Sequence, residues 1–352
     1  MSARKASSQA AARLRTWLLR GPVQLAQGEH AGGIVGSFAS DGTPAYVYGE
    51  ITGYYLHWLA GAGRDKRVSA NAAAACAWSA RWFGRDLPVP TRIHLAPAAP
   101  DWRNDAVFLF DLAMLARGIA AATRAALCEP TAALSQSLGR EVSRFHSGDA
   151  LLPLRRVREG AELPDRWSTR DDDFLLKAAT RVLDSAPPVH VDPAMLEACR
   201  AFADERAPGA ADADIGMLHP TLYYLEGVVA GDRRHWPGAA SLLARILELC
   251  DESFQLPESP PADGPRRSDV IAQALRLGVL LRAHGVEGAP AQPVLDGLAR
   301  TLAARVAADG SIPFRTDLPE RQPNVWCAMF AEQALRWHGA PQAHACDPAL
   351  LV

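Results

Sequence analysis

Apolar residues recur at three- and four-residue intervals along most of this chain, and convincing two-residue alternation is almost absent. The spacing predicts helices near 6–19, 50–61, 66–82, 105–125, 131–146, 171–184, 193–206, 217–230, 237–253, 267–284, 291–308 and 324–338. Proline and glycine clusters separate them. Asp192-Pro193, Ser268-Asp269 and Pro323-Asn324 read as capped helix starts, because a short polar side chain can take the unpaired N–H groups of the first turn. Ala45-Tyr46-Val47-Tyr48 has some strand character but is short enough for an extended loop.

The helices are not equivalent. Those starting near Glu50, Asp105, Asp171, Met217, Arg267 and Asn324 recur roughly every 50–60 residues, a hairpin-repeat period, and several carry polar groups on an otherwise apolar first or second turn. The helices between them, such as 66–82, 193–206, 237–253 and 291–308, are ordinarily amphipathic. That alternation suits a closed ring of hairpins with inner and outer layers: an all-α fold, an (α/α)6 toroid of about six helical hairpins. An irregular α-solenoid is the competing architecture. The expected organisation is one domain over 1–352, with an N-terminal helix (1–20), a loop-rich entry (21–45), the hairpin ring (46–338) and a tail (339–352).

Composition narrows the function. With 37 basic and 39 acidic residues the net charge is -2, which excludes a general nucleic-acid binder. No run approaches the roughly 20 apolar residues of a membrane span. The N-terminal segment has Leu14, Trp17 and Leu18 at helical spacing and no long apolar core, so it reads as an amphipathic helix rather than a signal peptide, and the expected compartment is the cytoplasm. Cys76, Cys128, Cys199, Cys250, Cys327 and Cys346 are scattered without a CxxC pair or zinc spacing. We expect buried reduced thiols, no metal and no cofactor. Asp212-Ala213-Asp214-Ile215 falls short of the Asp-x-Asp-Asp acid motif of a squalene-type cyclase, and no glycine-rich phosphate loop or nucleophile elbow is present.

Four segments and one isolated carboxylate could carry chemistry. Tyr48-Gly49-Glu50-Ile51-Thr52-Gly53-Tyr54 clusters a carboxylate, a hydroxyl and tyrosines where a loop enters a helix, with Tyr54 at i+4 from Glu50. Glu50 could instead simply favour the helix dipole. His219, Tyr223 and Glu226 stand at i, i+4, i+7, and Asp269, Gln273 and Arg276 repeat that spacing, so each trio forms a polar stripe on an apolar helix. In the second trio, Asp269 could be a cap and Arg276 its distant dipole partner. Asn324 and Trp326, with Arg315 upstream, could hydrogen-bond and stack a sugar ring. Asp111 follows the apolar run Val107-Phe108-Leu109-Phe110. Buried there, it would have the raised pKa of a general acid.

Together these segments resemble bacterial six-hairpin (α/α)6-toroid proteins associated with polysaccharide processing, loosely akin to glycosidase, epimerase and terpenoid-cyclase-like toroids. Tyr48 to Tyr54 is similar to a Tyr-Pro-Glu-x-Thr-Gly-Tyr segment with Gly49 in place of proline. His219 to Gly227 is similar to His-Thr-x-x-Tyr-x-x-Glu-Gly. Phe110-Asp111 matches the start of Phe-Asp-Thr-Gly-Gln, but Leu112-Ala113-Met114 follows. The resemblance implies a carbohydrate-active enzyme taking a small sugar or oligosaccharide. Glu50, Asp111, His219 and Asp269 would do acid–base work for hydrolysis, epimerisation or elimination. Tyr48, Tyr54, Tyr223, Glu226, Gln273, Arg276, Arg315, Asn324 and Trp326 would bind substrate at one central pocket. The alternative is a non-catalytic toroid holding a glycan or protein partner in the same cavity. The sequence leaves the oligomeric state open.

Overall fold

The computed structural model describes residues 2–352 apart from 86–87, 98–99, 149, 261–263, 319–321 and 343–344. All the candidate residues named above lie among the described ones. Twelve α-helices are described: α1 (Ala3–Arg20), α2 (Gly49–Gly61), α3 (Lys66–Phe83), α4 (Leu109–Arg124), α5 (Ala132–Val142), α6 (Leu175–Ser185), α7 (Pro193–Arg206), α8 (Leu218–Ala230), α9 (Trp236–Leu247), α10 (Ser268–Ala283), α11 (Gln292–Arg305) and α12 (Val325–Gly339). Each falls within a stretch that the apolar spacing predicts, to within a few residues at the ends. The largest difference is at α9, which ends at Leu247 rather than near 253; at α4, 102–105 is a 3-10 turn and 106–108 is extended before the helix begins.

Extended segments are short and paired. Tyr46–Tyr48 (β1) is a strand rather than a loop, antiparallel to Arg92–His94 (β2), with Tyr48 opposite Arg92. Ala106–Phe108 (β3) pairs with Leu154–Arg156 (β6), and His146–Ser147 (β4) with Ala150–Leu151 (β5). Three-residue strands leave too few positions for an alternation to be read.

Caps follow side-chain chemistry only in part. The Asp192 carboxylate accepts the Ala194 N–H at 2.8 Å at the start of α7, and the Asn324 amide oxygen accepts the Cys327 N–H at 2.9 Å at the start of α12. The expected cap at Ser268-Asp269 is not made. The Ser268 hydroxyl accepts from Arg305 at 3.0 Å instead, and the Asp269 carboxylate takes the Arg267 guanidinium.

The chain divides into two compact units, one made of Met1–Gly21, Ser37–Thr43 and Glu205–Val352, the other of Pro22–Gly36 and Pro44–Asp204. In the second unit α4 packs between α2 and α6; in the first α10 packs between α8 and α12, and α1 lies against α12. The even-numbered helices are buried nearly all round: α10 is buried continuously from Ser268 to Leu281, and α2 from Gly49 to Leu59. Odd-numbered helices bury one stripe, as in α9 with Trp236, Ala239, Ala240, Leu242, Leu243 and Ile246. A helix buried on every side must keep charge off its surface or pair it. The polar residues on the even helices are therefore informative.

Two glycines set the α2–α4 crossing. A methyl on Gly118 would stand 2.1 Å from the Gly53 carbonyl oxygen, and one on Gly53 would stand 2.3 Å from that of Met114. The helices therefore touch backbone to backbone. Gly118→Ala is expected to cost about 1–3 kcal/mol, because the helices must separate to admit it. Urea unfolding measures the loss, and an unchanged midpoint would show that the crossing can open to admit a methyl group.

Cys76 in α3 and Cys128, just beyond α4, form a disulfide with Cα atoms 6.7 Å apart. Reduced thiols were expected at both, and the fold corrects this. The two are 52 residues apart, and proximity of that kind leaves no spacing motif. Cys199, Cys250, Cys327 and Cys346 are free. Among the described residues no helix is long and apolar enough to cross a membrane.

Candidate active site

The candidate residues gather into two clusters, one in each unit. In the second unit, β1 ends where α2 begins, so Tyr48 and Glu50 stand two residues apart at the helix entrance. Asp111 occupies the first turn of α4. The Tyr48 hydroxyl donates to Asp111 Oδ1 at 3.1 Å and also meets the Glu50 carboxyl. One phenol thus serves two carboxyl groups. Asp111 Oδ2 is sequestered and has no hydrogen-bond partner among the described residues.

Charge in this set is costly. Burial pushes the Glu50 carboxyl up to about 7, against the opposing pull of the Tyr48 hydroxyl, Lys177 and Arg92. Asp111 is held well above its usual range, first by burial and then by the Glu50 charge. The same burial and the two carboxylates push the Tyr48 phenol well above its ordinary value. Capping does not explain Glu50, since no side chain caps the start of α2. Tyr54, one turn further on, accepts from Lys177 Nζ at 3.1 Å, and the ammonium also sits 4.8 Å from the Tyr54 ring centre. Lys177 on α6 is fully buried. Neither it nor Arg92 stands out in sequence, because a lone basic residue usually marks a solvated face.

In the first unit the stripes of α8 and α10 meet rung by rung. His219 Nδ1 lies 2.7 Å from Gln273 Oε1 and 3.5 Å from Asp269 Oδ2. Two acceptors beside one nitrogen assign the ring proton to Nδ1 and the lone pair to Nε2. Seven residues along, Glu226 and Arg276 form an ion pair in which neither side chain is exposed. Arg276 is thus no dipole partner of Asp269. Its guanidinium also donates to Gln333 Oε1 at 3.3 Å and lies 3.9 Å from the Phe330 ring centre. Tyr223 packs on the His219 ring at 4.3 Å.

Asp269 is saturated. Its oxygens accept from Arg267 Nε at 3.1 Å and Nη2 at 2.7 Å, from the Val270 N–H at 2.9 Å and from Trp326 Nε1 at 3.1 Å. Burial raises its pKa, but the Arg267 charge and hydrogen bonds, His219 and Trp326 outweigh that and hold it well below the usual carboxylate range. Asp269 therefore stays ionised and suits orientation better than proton transfer. Trp326, half-buried, points its N–H at this carboxylate and sets its ring edge-on to Phe314 at 5.5 Å. The Asn324 amide oxygen is committed to its cap. Arg315 runs beside Arg267 and pairs with Asp317. Among the described residues no three His, Cys, Asp or Glu side chains gather as a metal set would.

Burial, and then the Arg267 charge, bring His219 from 6.5 down to about 4. The unfolded chain therefore binds a proton in that interval which the fold excludes. The His219 contribution to stability is complete above pH 6.5 and is lost on acidification towards 4, by up to about 3 kcal/mol. Glu50 contributes the opposite slope over the same interval, so the His219 part is read as a difference: in urea unfolding from pH 7 to pH 4.5, His219→Gln is expected to lose less stability on acidification than the wild-type chain. A variant with the wild-type slope would assign the proton uptake elsewhere.

No family model matches the chain, and no curated protein matches its sequence. Solved structures do match its fold. A D-mannose isomerase is similar over 94% of this chain and 97% of its own, with a TM-score of 0.69 and 11% identity. Cellobiose 2-epimerase from Spirochaeta thermophila matches over 98% and 97%, with a TM-score of 0.65 and 15% identity. A type II terpene cyclase from Scytonema matches over 96% and 99%, with a TM-score of 0.60 and 12% identity. The fold is the (α/α)6 toroid that the helical pattern and the motif resemblance led us to expect.

Proposed function

We propose that this chain is a carbohydrate-active enzyme that works by acid–base catalysis, with Glu50, Asp111 and Tyr48 as its proton-handling set. The observation that carries the reading is a phenol between a buried and a half-buried carboxyl group, the first poised to titrate at about 7. Such a pair can keep one proton to give and one site to receive. Hydrolysis needs a proton delivered to a glycosidic oxygen, and epimerisation or elimination needs one taken from a sugar C–H. Glu50 would exchange the proton with substrate, and Tyr48 would keep the two carboxyls in register. His219, neutral at pH 7 with its lone pair on Nε2, would be a second base, oriented by Gln273 and Asp269. The likeness of fold to a sugar isomerase and a sugar epimerase supports a sugar ligand. The missing acid motif of a squalene-type cyclase speaks against terpenoid chemistry.

A second reading has its own observation. Glu226 with Arg276, and Asp269 with Arg267, are neutralised inside the protein, as in a core that binds without reacting. A panel of mono- and oligosaccharides, followed by product release and by thermal shift, separates the two. Turnover supports the enzyme, a thermal shift without product supports the binding protein, and silence in both removes the sugar.

A further inference from the structure

We propose that Lys177 is a positioning residue of the acid–base set: its buried ammonium, moored to Tyr54, is the counter-charge that lets Glu50 stay ionised between proton transfers. This rests on the reading of Glu50, Asp111 and Tyr48 as the proton-handling set. Lys177 comes from α6, and α4, the helix that carries Asp111, packs between α6 and α2. The Lys177 side chain is fully buried. Its Nζ donates to the Tyr54 hydroxyl at 3.1 Å and lies 4.8 Å from the Tyr54 ring centre. Tyr54 follows Glu50 by four residues, on the same face of α2. The mooring therefore brings a positive charge to the side of α2 on which Glu50 stands. A phenol oxygen and a ring face replace only part of the hydration that an ammonium loses on burial, so this charge is best placed beside an anion.

The groups that bear on the Glu50 charge come from every neighbouring element. Burial opposes the charge most; the Tyr48 hydroxyl on β1, Lys177 on α6 and Arg92 on β2 favour it, in that order. Asp111 on α4 competes with Glu50 for the negative charge. Of the two cations, Arg92 is the less committed. Its side chain is 21% exposed and 3.6 Å from Asp101, so water and a second carboxylate share its field. Lys177 is shielded from water, and its field falls on its buried neighbours.

The charge count gives this a chemical use. When Glu50 hands its proton on, the carboxylate left behind and the Lys177 ammonium together carry no net charge. When the proton returns, the ammonium keeps the Tyr54 oxygen and ring. Neither state leaves a buried carboxylate without a cation near it, and both directions of proton transfer stay open near neutral pH.

The test reads Glu50 directly and without a substrate. The full chain, isotope-labelled at its glutamate carboxyl carbons, is titrated by NMR, and Glu50→Gln identifies the Glu50 signal. The parent signal is expected to titrate at about 7. Lys177→Met keeps a stem of similar length without the charge and should move the midpoint to about 8 or higher, at least about tenfold tighter proton binding. Lys177→Arg restores a charge and should bring the midpoint back towards that of the parent. Tyr54→Phe keeps the charge but unties it, and should give a smaller rise. A folded Lys177→Met chain whose Glu50 titrates as in the parent overturns the proposal and leaves Lys177 as packing between helices. If Lys177→Met does not fold, Tyr54→Phe decides, and an unmoved midpoint overturns the proposal. Where the sugar panel finds turnover, the limb of the pH–rate profile that belongs to Glu50 should move with the titration. A moved titration in a chain that turns over no sugar overturns the function and the positioning role with it, while the pairing of charges stands.

Discussion

Glu50→Gln is expected to abolish turnover and at the same time to raise stability at alkaline pH. Glutamine keeps the size of the protonated side chain but can neither give nor take the proton, so the rate should fall by about 10²–10⁴. The stability change has the opposite sign. Glu50 rises from 4.5 to about 7 on folding, so its stabilising protonation is complete below pH 4.5 and is lost as pH climbs through 7. At pH 8 the native chain buries a carboxylate that it does not accommodate well. Glutamine removes this, and the variant should gain on the order of 1–3 kcal/mol there and nothing near pH 4. Urea unfolding at pH 4.5 and pH 8, alongside kinetics, reads both effects. A Glu50→Gln chain that is active, or no more stable at pH 8 than the parent, would remove Glu50 from the acid–base role.

Breaking the Glu226–Arg276 pair should have the largest effect on folding. Arg276 joins three helices: it pairs with Glu226 on α8, sits on α10, and contacts Gln333 and Phe330 on α12. Gln333 in turn donates to the Leu350 carbonyl at 2.6 Å and accepts the Val352 N–H at 3.1 Å. Arg276→Met takes the counter-charge from a carboxylate in a site from which water is excluded, at a cost of about 3–5 kcal/mol. Glu226→Gln combined with Arg276→Met strands no charge and should recover most of that. The four members of the cycle, compared by urea unfolding, give the coupling directly. Additive losses would mean that the two charges act independently.

The helical half of this molecule was open to sequence reading because a three-turn helix repeats its apolar spacing several times. The pattern of α8 could be read from His219 to Glu226, and that of α10 from Asp269 to Arg276. Spacing along a helix does not say what a residue faces across it. Arg276 therefore read as a partner of Asp269, while in the fold it answers Glu226. Arg267 and Lys177 were missed because their partners come from elsewhere: Glu258 for the first, besides its neighbour Asp269, and Tyr54 for the second. Arg92 was hidden for a related reason, since β2 is three residues long and reaches β1 only through the tertiary fold. Asp111 was legible as a carboxylate in an apolar run. Its tie to Tyr48, 63 positions earlier, was not.

The backbone contact between Gly53 and Gly118 bears on how quickly the proposed acid set can work. Glu50 lies three residues before Gly53 on α2, and Asp111 seven before Gly118 on α4. Side-chain packing between helices lets them slide as rotamers change, but carbonyls pressed on glycine Cα atoms permit almost no sliding. The spacing of the two carboxyls is thus inherited from main-chain geometry. Proton transfer between groups held this way needs little rearrangement of surrounding dipoles, which lowers the reorganisation energy of the step. Loosening the crossing would therefore slow the chemistry without altering a single atom of the acid pair.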